Sequence, residues 1–553
     1  MTPRSVGAFF CPSSRSCVSH PTQYRWYPIT FAIAALVLLP LTVLAFSWHD
    51  IDPEIWQHLW ETQMTRLLGN TLTLVIGVAI GVTLLGVSLA WLTALCEFPG
   101  RRWLDWALML PFAIPAYVLA FVFIGLLDFS GPVQSLAREW FGSGLRFPRV
   151  RSTGGVILVL VLVFYPYVYL LARSAFIAQG KGLMEAARIL GQTPWQAFWR
   201  VALPMAWPAI GAGLALALME TLADFGAVSV FNFDTFTTAI YKTWYGFFSL
   251  TSATQLASLL LLAVMLVLYG ERRARGAVRP ANERARSGAL YPLSGFKAFA
   301  ASAWCLLVFA CAFVIPVLQL LAWLWQRGRF DLDERYVALI LHTLYLGGMA
   351  ALLTVTLALL LAFARRQATS RTIRSSVGLA NLGYALPGSV LAVSIMLAFS
   401  YLDRHLVIPV SSWFGGAGKP LLVGSLAALL VAYLIRFMAV AFGPLENALA
   451  RIRPSLPQAS RSLGVGGMAL FLRVYLPLLV PGTLSAALLV FVDVLKEMPA
   501  TLLMRPFGWD TLAVRIFEMT SEGEWARASL PALTLVLVGL LPVILLIRRS
   551  AGK

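Results

Sequence analysis

The sequence predicts an all-α polytopic membrane protein with about twelve transmembrane helices, arranged as two tandem halves of six. Two observations predict this class. Hydrophobic residues make up 59% of the 553-residue chain and charged residues only 12%, with a mean hydropathy of +0.78, whereas a soluble protein carries about 25% charged residues. In addition, one polar stretch of twenty residues occurs twice, 273 positions apart, each time between two long apolar runs.

The apolar runs define the spans, because a hydrocarbon core about 30 Å thick needs about 20 apolar residues per helix. This rule gives twelve spans, at 28–46, 70–95, 104–127, 153–177, 202–225, 252–270, 300–325, 340–364, 375–400, 420–442, 474–496 and 529–547. The first run ends in Val43-Leu44-Ala45, which loosely resembles a signal-peptide cleavage site. We interpret it as a retained span, because it is long for a signal sequence and its removal would break the six-plus-six symmetry.

The distribution of basic residues predicts the orientation. With a cytoplasmic N-terminus, the cytoplasmic segments hold 26 Lys and Arg and the opposite loops hold 14, as the positive-inside rule requires. The same rule and the lipid headgroups explain the arginine-rich linker, so the net charge of +18 does not require a nucleic-acid partner. The predicted parts are a cytoplasmic tail at 1–27, a first half at 28–270 with its polar loop at 181–204, a basic cytoplasmic linker at 271–299, a second half at 300–547 with its loop at 454–477, and a cytoplasmic tail at 548–553.

The duplicated stretch runs from 185 to 204 and from 458 to 477, and nine of its twenty aligned positions are identical. Chance would give about one or two matches at typical residue frequencies. Pro115 and Pro387 extend the duplication at an offset of 272. Two halves of six spans have the same orientation, so we expect a pseudo-two-fold axis along the membrane normal and a pathway between the halves.

The polar loop itself predicts local structure. Lys181–Leu190 has helical apolar spacing and is predicted to form a short amphipathic helix, which Gly191 ends in a left-handed conformation. Thr193 then begins a new helix, with Gln196 completing a capping box. The second copy has Gly466 in place of Thr193, so the box is predicted to be lost there.

These loops resemble the EAA loop of binding-protein-dependent ABC importer permeases. The first copy matches through Glu185-Ala186-Ala187, Gly191 and the closing Val201-Ala202-Leu203-Pro204; the second keeps the spacing but begins Gln458-Ala459-Ser460. The resemblance implies the type I ABC importer permease fold and a helix in each loop that couples the permease to an ATPase. The residues to which it assigns this coupling role are Glu185, Ala186, Ala187 and Gly191 in the first loop and Gln458, Ala459 and Gly464 in the second.

The resemblance also implies partners and a location. It implies two copies of a cytoplasmic ABC ATPase, a periplasmic substrate-binding protein and membrane lipid, with no nucleic acid and no permease homodimer required. ATP and Mg are expected on the partner ATPase and no cofactor in this chain, so the chain is expected to be a transport subunit and not an enzyme. We expect a multi-pass protein of the bacterial inner membrane, with both termini cytoplasmic. Residues 415–420 resemble a phosphate loop, but Trp413 and Pro420 replace residues that such a loop requires.

Four carboxylates in the fifth and eleventh spans are the candidate permeation path. Glu220 and Asp224 form one i, i+4 pair, and Asp493 and Glu497 form another at an offset of 273. Ionisable residues in membrane spans are expensive and commonly functional. Hard oxygen ligands favour a vestibule for hard cations, although no metal site is assigned. The alternative is structural: the acids cap helix ends or pair with Lys496 and Arg436.

The substrate prediction is carried by resemblance. Residues 219–244 and 496–506 resemble the fused two-half permeases of ferric iron importers. Thiamine or a phosphonate is the alternative within the same importer class, and an ATP-independent secondary transporter is the alternative outside it. The five cysteines form no disulfide framework and are predicted to be free thiols.

Overall fold

A computed structural model describes residues 26–142, 147–274, 291–327, 334–368, 370–413 and 419–550. Within these ranges the chain is almost entirely helical and contains twelve segments long and apolar enough to cross a membrane. They are Trp26–His49, Pro53–Leu95, Ala116–Phe141, Thr153–Gln179, Pro194–Ala223, Leu250–Glu271, Gly295–Gln326, Glu334–Gln367, Gly388–Ser412, Leu426–Arg451, Gly467–Lys496 and Trp525–Leu545. The predicted fold class is therefore confirmed.

The helices of the first half are α1 Trp26–Phe46, α2 Pro53–Leu59, α3 Thr65–Leu95, α4 Arg101–Ala107, α5 Ala116–Leu127, α6 Pro132–Phe141, α7 Thr153–Ile189, α8 Pro194–Ala197, α9 Leu203–Ala223, α10 Gly226–Val230, α11 Phe236–Phe247 and α12 Leu250–Ala274. Those of the second half are α13 Gly295–Phe309, α14 Ile315–Arg327, α15 Glu334–Gln367, α16 Arg371–Ala380, α17 Gly388–Leu402, α18 Ile408–Trp413, α19 Leu426–Arg451, α20 Ser455–Ser462, α21 Gly467–Leu470, α22 Leu476–Lys496, α23 Pro499–Met504, α24 Leu512–Ser521 and α25 Trp525–Ser550.

The third span of each half is broken, contrary to the continuous spans predicted at 104–127 and 375–400. A short 3₁₀ turn, Leu110–Ala113 or Leu382–Ala385, separates the preceding helix from α5 or α17. Proline is the cause, because it disfavours helical geometry in the residue before it. Ile114 and Leu386, which precede Pro115 and Pro387, are both extended.

The packing exchanges helices between the two halves. One hydrophobic cluster joins α3, α5, α7 and α9 of the first half to α13, α14, α24 and α25 of the second. The other joins α15, α17, α19 and α22 to α1, α11 and α12. The outer helices of each sequence half therefore pack on the inner helices of the other half.

The polar loops differ between the halves. Residues 181–189 do not form the separate short helix that was predicted, because they continue α7 without a break. In the second half α19 ends at Arg451, Ile452 is extended, and α20 begins at Ser455. The physical reason is Pro454, whose equivalent in the first half is Lys181.

The chain is anchored in similar places near the starts of the two exchanged helices α1 and α13. Strand β2 (Tyr291–Pro292), just before α13, pairs in parallel with β1 (Cys96–Glu97) at the end of α3. At the start of α1, Trp26 Nε1 donates a hydrogen bond to Gln367 Oε1 over 3.1 Å, at the end of α15. The N-terminal tail to residue 25, most of the predicted linker (275–290) and most of the loop at 415–420 lie outside the described residues.

Cys96, Cys305 and Cys311 are free thiols, as predicted, while Cys11 and Cys17 lie outside the described residues. Burial raises the pKa of the Cys96 thiol to about 11, and the nearby Arg101 opposes this shift only in part. Cys96 therefore stays protonated at neutral pH, which makes it a packing residue with little nucleophilic character.

Candidate permeation cavity and coupling loops

A cavity of about 120 Å³ lies between the two halves, where helices from both of them end. Its wall includes the N-terminal end of α5, residues of the two 3₁₀ turns Leu110–Ala113 and Leu382–Ala385, and the C-terminal ends of α9 and α22. All four predicted carboxylates line it, together with two cations and several aromatic residues from both halves. The charged residues are Glu220, Asp224, Asp493, Glu497, Arg436 and Lys496, and the aromatic residues include Phe112, Tyr117, Tyr167 and Tyr384. The structure therefore brings the four predicted acids together.

The acids do not lie on one helical face, because each helix ends between the two members of its pair. Helix α9 ends at Ala223 and α22 ends at Lys496, and the next residues, Asp224 and Glu497, are extended. Glu220 and Asp493 remain in the last helical turn. The acids of each pair therefore point into different surroundings.

Asp224 and Glu497 have structural partners. Asp224 Oδ2 accepts a hydrogen bond of 3.1 Å from the backbone N–H of Val228, in the short helix α10. Glu497 Oε1 accepts one of 3.2 Å from the N–H of Ala500, in α23. Glu497 also forms an ion pair of 3.2 Å with Arg436, and these two side chains are 4% and 11% exposed. For these two acids the capping and pairing alternative describes the geometry.

Glu220 and Asp493 are the two acids of the cavity that accept no backbone hydrogen bond, and neither forms an ion pair with the described residues. Glu220 accepts a hydrogen bond of 3.2 Å from the Tyr384 hydroxyl, which belongs to the opposite half. Asp493 makes no side-chain hydrogen bond or ion pair with any part of the chain that the structure describes. Lys496 donates instead to the backbone carbonyl of Phe112, across the boundary between the halves. Two polar contacts thus join the halves at the cavity.

The cavity holds four carboxylates and two cations, so its charge favours a cation over an anion. Across the described ranges, no group of three or more His, Cys, Asp or Glu side chains is placed to hold a metal ion. The C-terminal ends of α9 and α22 add partial negative charge beside the acids. A cation in this cavity would therefore be attracted without meeting a complete coordination shell.

Phe112 and Tyr384 were not identified from the sequence as cavity residues. They occupy equivalent positions, 272 residues apart, in the two 3₁₀ turns that precede Pro115 and Pro387. That shared spacing was the available signal. The spacing alone does not place these residues at the cavity, because that placement depends on the break in each span.

The first coupling loop has the predicted turn and cap. Gly191 has a φ of +80°. The Thr193 side chain accepts from the N–H of Gln196, and the Gln196 side chain accepts from the N–H of Thr193, which completes the capping box. Glu185 and Ala186 are exposed while Ala187 is buried. Leu190 is 80% exposed and contributes an apolar surface at the tip.

The second coupling loop has the same outline with a different cap. Gly464 has a φ of +79°, and Leu463, the equivalent of Leu190, is 82% exposed. Gln458 and Ala459 are exposed. Gly466 begins α21 without a side-chain cap, as predicted. A π-helical turn follows at equivalent positions in both halves, at Phe198–Ala202 and Phe471–Tyr475.

Comparison with known proteins identifies the family. The sequence profile described as "binding-protein-dependent transport system inner membrane component" matches residues 82–270. The sulfate transport system permease protein CysW of Escherichia coli is 32% identical over 219 residues, which cover 37% of this chain and 70% of that protein. The chain belongs to the binding-protein-dependent transport permeases. This permease is a multi-pass membrane subunit of an ABC importer.

Two further relatives differ in length and in named substrate. The Fe(3+)-transport system permease protein FbpB 2 of Haemophilus influenzae is 29% identical over 502 residues, which cover 88% of this permease and 90% of that protein. The molybdenum transport system permease protein ModB of Escherichia coli is 29% identical over 180 residues, covering 32% of this permease and 72% of the relative. The alignment to FbpB 2 therefore extends over both halves.

Proposed function

We propose that this permease imports ferric iron, which a periplasmic binding protein delivers and which crosses the membrane by alternating access. The observation that carries the proposal is the similarity to an iron permease over both halves of the chain. The fused two-half layout is part of that similarity. Relatives named for sulfate and molybdenum match over 26–43% of this chain.

Those relatives make an oxyanion the second candidate substrate, and the charge of the cavity argues against it. The four carboxylates outnumber the two cations, and one cation, Arg436, is paired with Glu497. Asp493 lines the cavity without a partner among the described side chains. Like charges repel strongly where water is sparse, so a divalent anion would meet net repulsion. A hard cation matches the carboxylate oxygens instead.

The two coupling loops support a partnership with two copies of a cytoplasmic ABC ATPase. Each loop presents an exposed apolar tip at the same position, Leu190 or Leu463. One residue that packs inward is also equivalent in the two loops, Met184 in the first and Pro457 in the second. Because one chain carries both loops, no permease homodimer is required. ATP and Mg would bind the ATPase subunits.

The same proposal fixes the orientation. Both loops and both termini face the cytoplasm of a bacterial inner membrane, and the opposite face receives the binding protein. The excess of Lys and Arg on the loop side supports this assignment. The alternative of an ATP-independent secondary transporter provides no reason for two equivalent exposed loops.

Reconstitution tests the proposal. In proteoliposomes that contain the permease and its ATPase, we expect binding protein loaded with Fe³⁺ to stimulate ATP hydrolysis and to deliver ⁵⁵Fe to the interior. Binding proteins loaded with sulfate, molybdate or thiamine should give only the basal rate. The combined variant Glu220→Gln, Asp493→Asn should assemble normally and lose most iron uptake. Stimulation by an oxyanion-loaded protein, or iron uptake without ATPase, would overturn the proposal.

A further inference from the structure

The cations of the cavity are distributed unequally between the two halves. Arg436 and Lys496 both belong to the second half. At the offset of 273 that relates α7 to α19 and α9 to α22, their equivalents are Val163 and Ala223. The acid pair, by contrast, is present once in each half. The acids of the cavity are therefore duplicated between the halves, whereas its cations occur in the second half only.

The two cations have different roles in the geometry. Arg436 is held in a buried ion pair with Glu497, for which Gly388 leaves room: a Cβ at that glycine would lie 2.3 Å from the Arg436 Nη1 atom. Lys496 forms no ion pair with the described residues. Its ammonium donates to the Phe112 carbonyl, in the wall of the cavity that Asp493 and Glu220 also line.

We propose that Lys496 is a tethered counter-ion for Glu220 and Asp493. The cationic substrate must displace the lysine ammonium as it passes these two acids. This inference rests on the proposed import of a cation. It identifies Lys496 as the residue that determines how highly charged a cation must be to enter the cavity. The lysine ammonium is a compact charge on a flexible four-carbon stem, so it can leave the acids without unfolding α22. A weakly charged solute would not displace it, whereas a trivalent cation competes strongly for the same oxygens.

Displacement of Lys496 would also change the contact between the halves. Its hydrogen bond to Phe112 and the bond from Tyr384 to Glu220 both cross the boundary at the cavity. A cation that binds Glu220 and Asp493 competes with both contacts. Entry of the substrate is thereby coupled to separation of the halves, which alternating access requires.

The test measures binding of a trivalent ion without transport. Tb³⁺ is a suitable probe, because it is a hard cation and nearby tyrosines sensitise its luminescence; Tyr167 and Tyr384 line the cavity. The full-length permease in nanodiscs of zwitterionic lipid is titrated with Tb³⁺, and the signal of the Glu220→Gln, Asp493→Asn variant is subtracted as background. The variants compared are Lys496→Gln, Lys496→Ala and Lys496→Arg, with Lys242→Ala as the control.

Removing the charge should strengthen binding of Tb³⁺ by about tenfold, because a like charge is removed from a poorly solvated site. Lys496→Gln keeps a hydrogen-bond donor near Phe112, so it separates the charge from the contact between halves. Lys496→Ala introduces the residue that the first half has at this position. Lys496→Arg should stay within twofold of the wild type, as should Lys242→Ala, whose exposed lysine pairs with Asp234.

The outcomes distinguish this inference from the proposed function. If the acid variant abolishes binding but Lys496→Gln binds no more tightly than the wild type, the counter-ion role is wrong and the cation pathway stands. If the acid variant binds Tb³⁺ as well as the wild type does, the cavity is not a cation site and both proposals fall. If Lys496→Ala does not assemble, Lys496→Gln decides the question alone.

Discussion

At the scale of single residues, equivalent positions in a duplicated chain have acquired different functions. Glu220 and Asp493 both line the cavity, yet only Glu220 has a hydroxyl partner, Tyr384. The equivalent of that tyrosine is Phe112, which offers a backbone carbonyl to Lys496 instead. Phe112 lacks the hydroxyl of Tyr384, and Ala223 lacks the charge of Lys496, so the two contacts across the cavity are not symmetric.

Gly388 is the residue whose substitution should disturb the cavity most directly. In Gly388→Ala the new Cβ would lie 2.3 Å from both Arg436 Nη1 and Glu497 Oε1, so the buried ion pair must move. We expect a loss of about 1–3 kcal/mol in stability, the usual cost of overpacking, measured as a lower thermal denaturation temperature in detergent. Gly378→Ala is the matched control, because nothing lies within 4 Å of its Cβ position. Equal denaturation temperatures for the two variants would contradict this account of the ion pair.

At the scale of elements, the two coupling loops follow a similar backbone path but differ in how each loop joins the preceding helix and in whether its second helix has a side-chain cap. The first continues directly from α7 and has a capping box; the second is separated from α19 by Pro454 and has no side-chain cap at Gly466. A Ser or Thr cap contributes about 1 kcal/mol over alanine. The two loops, which we propose as docking surfaces, are therefore equivalent in position and unequal in local stability.

The left-handed turns of these loops give a prediction about coupling. Gly191 and Gly464 have open space around the Cβ position, so an added methyl group meets no neighbour and only the backbone conformation is strained. Left-handed geometry costs a non-glycine residue about 1–2 kcal/mol. We expect Gly191→Ala with Gly464→Ala to reduce co-purification of the ATPase several-fold while the transmembrane part stays folded.

The control for this loop experiment is Gly443→Ala, which lies inside α19, also has open space, and does not have a positive φ. Its ATPase recovery should equal that of the wild type. Unchanged recovery with the double loop variant would show that the turns do not shape the docking surface.

At the scale of the whole molecule, the exchanged helices make the two sequence halves mutually dependent. The outer helices α1 and α12 pack in the cluster of the second half, and α14 and α25 pack in that of the first. Either half alone would expose inner helix faces that are normally covered by the other. The protein is thus one packing unit, although its sequence reads as two.

Splitting the chain tests this dependence. We expect segments 1–280 and 281–553, expressed together, to assemble and co-purify, because the cut leaves every described helix intact. Either segment alone should be degraded or aggregate. The measurement is the yield of monodisperse protein after size-exclusion chromatography in detergent. A stable single segment would mean that the exchanged contacts contribute little.

Much of this architecture could be predicted from the sequence, and the remainder has identifiable causes. The repeat located both loops, the acids and the cap at Thr193, because these depend on local residue types. The break at Ala223 was missed, since no glycine or proline directly follows that helix end. The sequence named Arg436 as a candidate partner of the acids but not its pairing with Glu497, because the two residues lie 61 positions apart. The exchange of helices was not predictable, since lipid-facing and protein-facing sides of a span are both apolar.

That exchange also sets the timing of assembly during synthesis. The Tyr27 hydroxyl, at the start of α1, donates a hydrogen bond to Ser370, which is 343 residues further along the chain. At about 5–20 residues per second of translation, the ribosome needs about 17–70 s to make the partner of the first span. During that interval the packing face of α1 must meet lipid or the insertion machinery. Helix α1 is therefore synthesised early but can complete its packing only late in synthesis.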